Sequence, residues 1–298
     1  MITKLYGGIE GGGTKFICAV ADSSGQILVE ERIPTTDPTS TLGACARFFL
    51  TQQSQLGALT ALGIACFGPL DPRKNSPHYG KILATPKPSW AGTDVVAFFA
   101  RRLGLPIAFD TDVNGAVLAD HLWGAGKGIQ NLVYFTIGTG IGGGLLLDGR
   151  LVHSGLHLEM GHMRIPIPPE MGSFKGVCPF HGNCFEGLAS GPAVEARWGC
   201  NAADLPDSHP AWELEARLIA HALHNTACLL APERIILGGG VTQQTKLFPL
   251  IREHFVRSLN GYLQLPVLLE EIETYIVPSA LEGKAGLLGA IALAQGIN

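Results

Sequence analysis

Two glycine-rich turns, each set between apolar segments, constrain this chain more than any other feature. Leu5–Ile9 runs into Glu10-Gly11-Gly12-Gly13-Thr14-Lys15 and then into Phe16–Ala21. Leu132–Ile137 runs into the seven residues Gly138-Thr139-Gly140-Ile141-Gly142-Gly143-Gly144 and then into Leu145–Leu147. A strand–turn–strand unit of this kind exposes bare backbone N–H groups, because glycine has no Cβ to block approach or to forbid positive φ. Thr14, Lys15 and Thr139 add hydroxyl and ammonium donors, so the natural guest is a polyphosphate. Two such turns in one chain imply a clamp made by related halves.

Two better-known phosphate loops do not fit. A P-loop needs Lys followed by Ser or Thr and then a helix, whereas Thr14 precedes Lys15 and the next residues are apolar and strand-like. A dinucleotide loop also feeds a helix, whereas Leu145–Leu147 ends in an Asp148-Gly149 hairpin turn. A pair of glycine-rich hairpins with no ligand stays as the bland alternative.

At 298 residues and 46 % hydrophobic content the chain has material for two cores. A net charge of −4 argues against nucleic acid as the main partner. Cys18, Cys45, Cys66, Cys200 and Cys228 lack disulfide-like spacing, which fits a reducing cytoplasm. No signal peptide and no run long enough to span a membrane is expected.

Strand and helix signals alternate. Strands are expected at Gln26–Ile33, Leu62–Phe67, Pro106–Phe109, Arg234–Leu237 and Thr274–Val277. Helices are expected over Ser40–Leu56, Thr93–Leu103, Val113–Trp123, Gly187–Ala196, 210–230, Thr245–Asn260 and Leu281–Ala294. The proline-rich stretch Gly68–Trp90, with prolines at 69, 72, 77, 86 and 88, can be neither regular helix nor central strand. Each half opens with strand, glycine turn, strand, which is the plan of the actin-like ATPase (ribonuclease H-like) fold. That plan predicts two α/β domains with nucleotide and sugar held in a cleft between them. The expected division is 1–112, joined by the C-terminal helix 281–298, and a larger domain, 113–280.

Five segments, in order, carry a resemblance to the ROK family of sugar kinases: Glu10-x-Gly12-Gly13-Thr14-Lys15; Asp110-Thr111-Asp112-Val113-Asn114-Gly115; Gly138 to Gly144; Glu159-Met160-Gly161-His162; and Cys184-Phe185-Glu186. Thr85–Trp90 and the run from Cys178 to Cys184 resemble the bacterial fructokinase branch of that family. The resemblance implies MgATP and a hexose as substrates, with Glu159, His162 and Glu186 binding sugar hydroxyls. The Gly68-Pro69 segment would supply another wall of the sugar pocket.

Transfer of a phosphoryl group to a hydroxyl needs a base near that hydroxyl, donors around the phosphates and a divalent cation. Asp112 sits where a strand meets a helix, and with the resemblance it is the expected base; capping that helix is its alternative use, open to Asp110 as well. Asn114 would be a neighbouring polar contact. Thr111 departs from the Asn that many family members carry as a sugar ligand. Gly12, Gly13, Thr14, Lys15, Gly138, Thr139 and Gly140 are the expected phosphate contacts, with Lys15 as a plain surface lysine the alternative. Glu10 would reach Mg2+ through water, since Mg2+ seldom sheds its whole hydration shell. Gly239, Gly240, Gly283 and Lys284 are expected around the adenine, although Gly286 and Gly289 could serve helix packing alone.

Cys178, His181 and Cys184 put three ligands within seven residues, and His162 upstream makes four, a set that suits a closed, tetrahedral, structural Zn2+. His157 competes with His162 for the fourth position, and the Glu-x-Gly-His match favours His162. For Glu186 the alternative role is a helix N-terminal charge. The expected activity is ATP-dependent phosphorylation of D-fructose at the 6-hydroxyl. Glucose or mannose phosphorylation and a non-catalytic sugar sensor are its alternatives, and a homodimer is expected on the base rate for symmetric enzymes.

Overall fold

A computed structural model describes residues 4–85, 87–153, 155, 157–281 and 283–296. Pro86 of the proline-rich stretch, and Glu282, Ile297 and Asn298 of the expected C-terminal segment, lie outside the described residues.

The chain divides into two compact units. One comprises the described parts of Met1–Lys127, Leu151–His157 and Lys284–Asn298, the other Gly128–Arg150 and Leu158–Gly283. The first runs β1 (Leu5–Gly11), β2 (Lys15–Asp22), β3 (Ile27–Pro34), α1 (Pro38–Leu56), β4 (Leu59–Cys66), α2 (Val95–Leu103), β5 (Ile107–Thr111) and α3 (Asp112–Trp123). The second runs β6 (Leu132–Ile137), β7 (Ile141–Leu147), β8 (Arg150–Leu151), α4 (Phe185–Ala189), α5 (Gly191–Trp198), α6 (Ala211–Leu230), β9 (Arg234–Gly238), α7 (Leu247–Leu259), α8 (Pro266–Leu269), α9 (Ile272–Tyr275) and β10 (Ile276–Pro278). The last helix, α10 (Ala285–Gln295), returns to the first unit.

The duplication is a topological fact. The first sheet has the order β3-β2-β1-β4-β5 and the second, read in the same sense, β8-β7-β6-β9-β10. In both, the opening hairpin is antiparallel, and the pairings on the other side of its first strand, β1–β4–β5 and β6–β9–β10, are parallel. This is the two-domain actin-like ATPase plan. Outer strand β3 carries Glu30, Glu31 and Arg32 on its exposed stretch, charges that discourage further strand pairing. Behind the first sheet, Phe16, Phe49, Leu62, Trp90 and Phe99 are fully buried, each contributing about 1.5–3 kcal/mol through lost contact with water.

Helix α3 stays with the first unit, so the boundary falls after Lys127 and not after residue 112. The cause is close packing by α10: a Cβ on Gly289 would stand 2.2 Å from the Gly115 carbonyl carbon. Gly289 therefore serves helix packing, against α3. Helix α10 starts at Ala285 and not at Leu281, because Gly283 has φ 77°, which ends regular helix geometry. Thr274 belongs to α9 and not to a strand, its amide and hydroxyl both donating to the Glu271 carbonyl. The helix expected over Gly187–Ala196 is two helices, because Pro192 cannot donate and Ser190 is extended at ψ 162°.

The proline-rich stretch is pinned at several points. Isolated bridges join Leu70 to Ile82 and Lys81 to Asp94, and Arg73 makes a two-pronged ion pair with Asp71. Trp90 stacks on Phe16 at 5.2 Å and donates to the Thr36 carbonyl. Among the described residues no helix is long and apolar enough to cross a membrane.

Candidate active site

The first glycine turn is short and open. The Gly12 amide donates to the Lys15 carbonyl, closing a hairpin in which Gly13, Thr14 and Lys15 are exposed. Thr35 donates to the Gly12 carbonyl and Lys87 to that of Gly13, so side chains brace the turn from outside it. The second turn is only Gly138-Thr139-Gly140; Ile141 to Gly144 already belong to β7, so the seven-residue turn expected from sequence is three residues long. Gly143 explains part of the run: a Cβ there would stand 2.6 Å from the Met160 sulfur. The Gly191 amide at the start of α5 donates to the Gly138 carbonyl and fixes this turn.

Thr111 caps α3, its hydroxyl accepting from the Asn114 amide at 3.1 Å. Capping therefore falls to neither aspartate. Thr111 itself, the residue that departs from the family pattern, is buried and occupied by that bond. Asp112 is the first residue of the helix, half-buried, its Oδ1 accepting from the Val113 amide at 2.9 Å. Asp110 is only 2 % exposed. Its Oδ1 accepts from the Thr111 amide and the Asn114 side chain, and its Oδ2 lies 2.6 Å from His153 Nε2. Asn114 is likewise 2 % exposed, so in this structure its amide supports Asp110. His153 was invisible in the sequence, being 43 residues away from Asp110 and part of no motif.

Glu10 lies near Asp112. Burial first, and then the negative charge of Asp112, push its carboxyl up to about 7, while Lys15, a backbone hydrogen bond from Leu287 and Arg32 pull it down. Two carboxylates so placed fit a divalent cation, whose charge would offset both. With a folded pKa above the ordinary 4.5, this group contributes stability at acid pH that is lost as pH rises through about 7. Millimolar Mg2+ is therefore expected to raise the melting temperature more at pH 8 than at pH 6. Equal gains at both would place the cation elsewhere.

In the second unit His162, Cys178, His181 and Cys184 offer ligand atoms all within 4.8 Å of one another. His162 Nδ1 lies 3.4 Å from Cys184 Sγ and 3.8 Å from Cys178 Sγ, and His181 Nδ1 lies 3.7 Å from Cys178 Sγ. Zn–S and Zn–N bonds at tetrahedral angles demand edges of about 3.3–3.8 Å, so the donor set fits Zn2+. His157 is not in this set; its Nδ1 lies 2.6 Å from the Leu70 carbonyl oxygen, in the first unit.

The carboxylates expected to meet sugar gather at the same histidine. His162 Nε2 lies 3.9 Å from Glu159, and its Nδ1 lies 4.0 Å from Glu186. Glu186 also accepts from the Ile141 amide, tying the cluster to the second glycine turn. It stands in the first turn of α4, so the helix-charge reading and the contact with His162 both describe it. Gly68 and Pro69 lie on the first unit, where the Pro69 carbonyl accepts from Leu83 and a Cβ on Gly68 would meet His157.

Gly239, Gly240 and Gly283 line a cavity of about 640 Å3 in the second unit, together with Thr242, Phe248 and Arg252. The last three were not read from sequence, since they carry no motif. Lys284 is not among the lining residues; its ammonium lies 3.9 Å from Glu30 in the first unit.

The sequence profile of the ROK family matches residues 6–297. The chain belongs to the ROK family. It is 44 % identical to a fructokinase of Zymomonas mobilis, covering 98 % of this chain and 96 % of that one. It is 40 % identical to a fructokinase of Pediococcus pentosaceus, covering 98 % of each. Among solved structures, the ROK glucokinase of Streptomyces griseus in complex with glucose and AMPPNP superposes with a TM-score of 0.75, at 26 % identity over 98 % of this chain and 99 % of that one. In this ROK chain the glycine turns, Asp112 and the cysteine–histidine cluster all stand on the elements just described.

Proposed function

We propose that this ROK protein is a fructokinase, transferring the γ-phosphoryl group of MgATP to the 6-hydroxyl of D-fructose. The observation that carries the reading is near-full-length identity of 44 % and 40 % to two fructokinases. Asp112 accepts the hydroxyl proton as the oxygen attacks, and its half-buried place on the first turn of α3 supports that role. The exposed Gly13, Thr14 and Lys15 are the candidate phosphate contacts of the first unit, and Gly138, Thr139 and Gly140 are those of the second. Gly239, Gly240 and Gly283 receive the nucleotide base in a cavity of ordinary ligand size.

Glu10 and Asp112 would hold Mg2+, which would supply charge to offset that developing on the phosphates. Glu159, His162 and Glu186 bind sugar hydroxyls, and Zn2+ held by His162, Cys178, His181 and Cys184 would keep their loop in one shape. The enzyme works in the cytoplasm, a reading supported by the scattered spacing of Cys18, Cys45, Cys66, Cys200 and Cys228. A homodimer is the expected assembly on the base rate for soluble enzymes.

ADP release measured with MgATP across fructose, glucose, mannose and N-acetylhexosamines tests the reading. Fructose is expected to exceed the others in kcat/KM by at least about 10-fold, the discrimination that one or two hydroxyl contacts provide. A higher value for glucose would move the specificity toward that of the Streptomyces griseus relative and leave the chemistry in place.

A further inference from the structure

We infer that His153 is a positioning residue for the phosphoryl-transfer base, acting on Asp112 through the buried carboxylate of Asp110. The inference deepens the kinase reading and rests on it. The Asp110 side chain is 3 % exposed and stands at the C-terminal end of β5, two residues before Asp112. A carboxylate this deep is costly unless its oxygens accept hydrogen bonds. Oδ1 takes two, from the Thr111 amide at 2.7 Å and the Asn114 amide group at 2.8 Å, which staples the end of the strand to the first turn of α3. Oδ2 takes the imidazole of His153 at 2.6 Å.

A carboxylate acceptor demands a proton on Nε2, and both the neutral Nε2–H tautomer and the imidazolium supply it. The hydrogen bond to Asp110 raises the pKa of His153 above its ordinary value, in keeping with a donor held toward a carboxylate.

His153 lies in the short segment Leu151–His157, which belongs to the first unit although its neighbours on both sides belong to the second. The same segment is held a second time where His157 meets the Leu70 carbonyl. Two imidazoles thus press this segment onto the first unit, one of them directly behind the turn that carries Asp112. Without His153, Oδ2 loses its donor, and Asp110 must turn toward water. Its other bonds, to Thr111 and Asn114, then shift the first turn of α3. A displacement of about 1 Å at a reacting group costs up to about 100-fold in rate.

The test is a double-mutant cycle read by ADP release with fructose. His153→Leu is expected to lower kcat by about 10- to 100-fold with the KM for MgATP unchanged. His153→Gln, whose side-chain amide donates from the same place, is expected to restore kcat to within about 3-fold of wild type. In an Asp112→Asn background His153→Leu is expected to cost less than about 2-fold, because a residue acting only through the base has nothing left to position.

Melting curves check that each variant folds. If His153→Leu does not, His153→Asn, whose amide is too short to reach Asp110, takes its place. An unchanged kcat in the folded variant would overturn the inference. So would a full further loss in the Asp112→Asn background, or a Gln variant no better than Leu. Absence of turnover in the wild type on every hexose would remove the kinase reading itself, and the inference with it, and is seen before any variant is assayed.

Discussion

Asp112→Asn is expected to reduce kcat on fructose by about 10²- to 10⁴-fold while the protein stays folded. An amide has the shape of the carboxylate but cannot take a proton, so the sugar oxygen would have to attack while still protonated. Structural cost is small, because Thr111 caps α3 and Asp112 only sits at its first position. The loss there is a favourable charge near the helix N-terminus, worth up to about 2 kcal/mol at a partly buried site. Retained turnover would remove Asp112 as the base, and Asp110 could not replace it, both its oxygens being already engaged.

The second large effect concerns the metal cluster. Purified protein is expected to hold one Zn2+ per chain by elemental analysis, and Cys184→Ser to lose it. Removing even an outer partner of such a site costs about 10- to 100-fold in metal affinity or activity, so loss of a ligand should cost at least that. Burial first, and then Cys178 and the charge of Glu186, push the Cys184 thiol up to about 11 against a hydrogen bond from the Gly187 amide, so without a cation it is neutral at pH 7, whereas Zn2+ would take it as thiolate.

The kinetic signature matters as much as the size. Glu159 and Glu186 stand about His162, and Glu186 also touches the second glycine turn. Metal loss should therefore raise the KM for fructose more than that for MgATP, and it should lower the melting temperature. A variant that keeps both parameters without metal would make the four side chains a hydrogen-bonded cluster and no more.

Much of this was legible in the chain because the signals are local. Strand, glycine turn and strand lie within a few residues of one another, as do a helix and its cap, and three of the four clustered histidines and cysteines occupy one heptapeptide. Motif order extended that reading to Asp112 and to the choice of His162 over His157. What local signals could not separate were two uses of the same residue type. Gly13 has open space around it, whereas Gly143 and Gly289 have none, yet all three look alike in sequence.

Sequence by itself determined the repeated strand–glycine turn–strand opening, the candidate histidine–cysteine cluster and the family. Each of these depends on residue type and short spacing, which chain geometry turns directly into structure. Only the tertiary structure decided that α3 belongs to the first unit, that Thr111 takes the capping role from both aspartates, and that Asp110 is held by His153. Those outcomes depend on which atoms from distant parts of the chain compete for one buried carboxylate or one helix face. Nothing in residue order encodes the distance that settles such a competition.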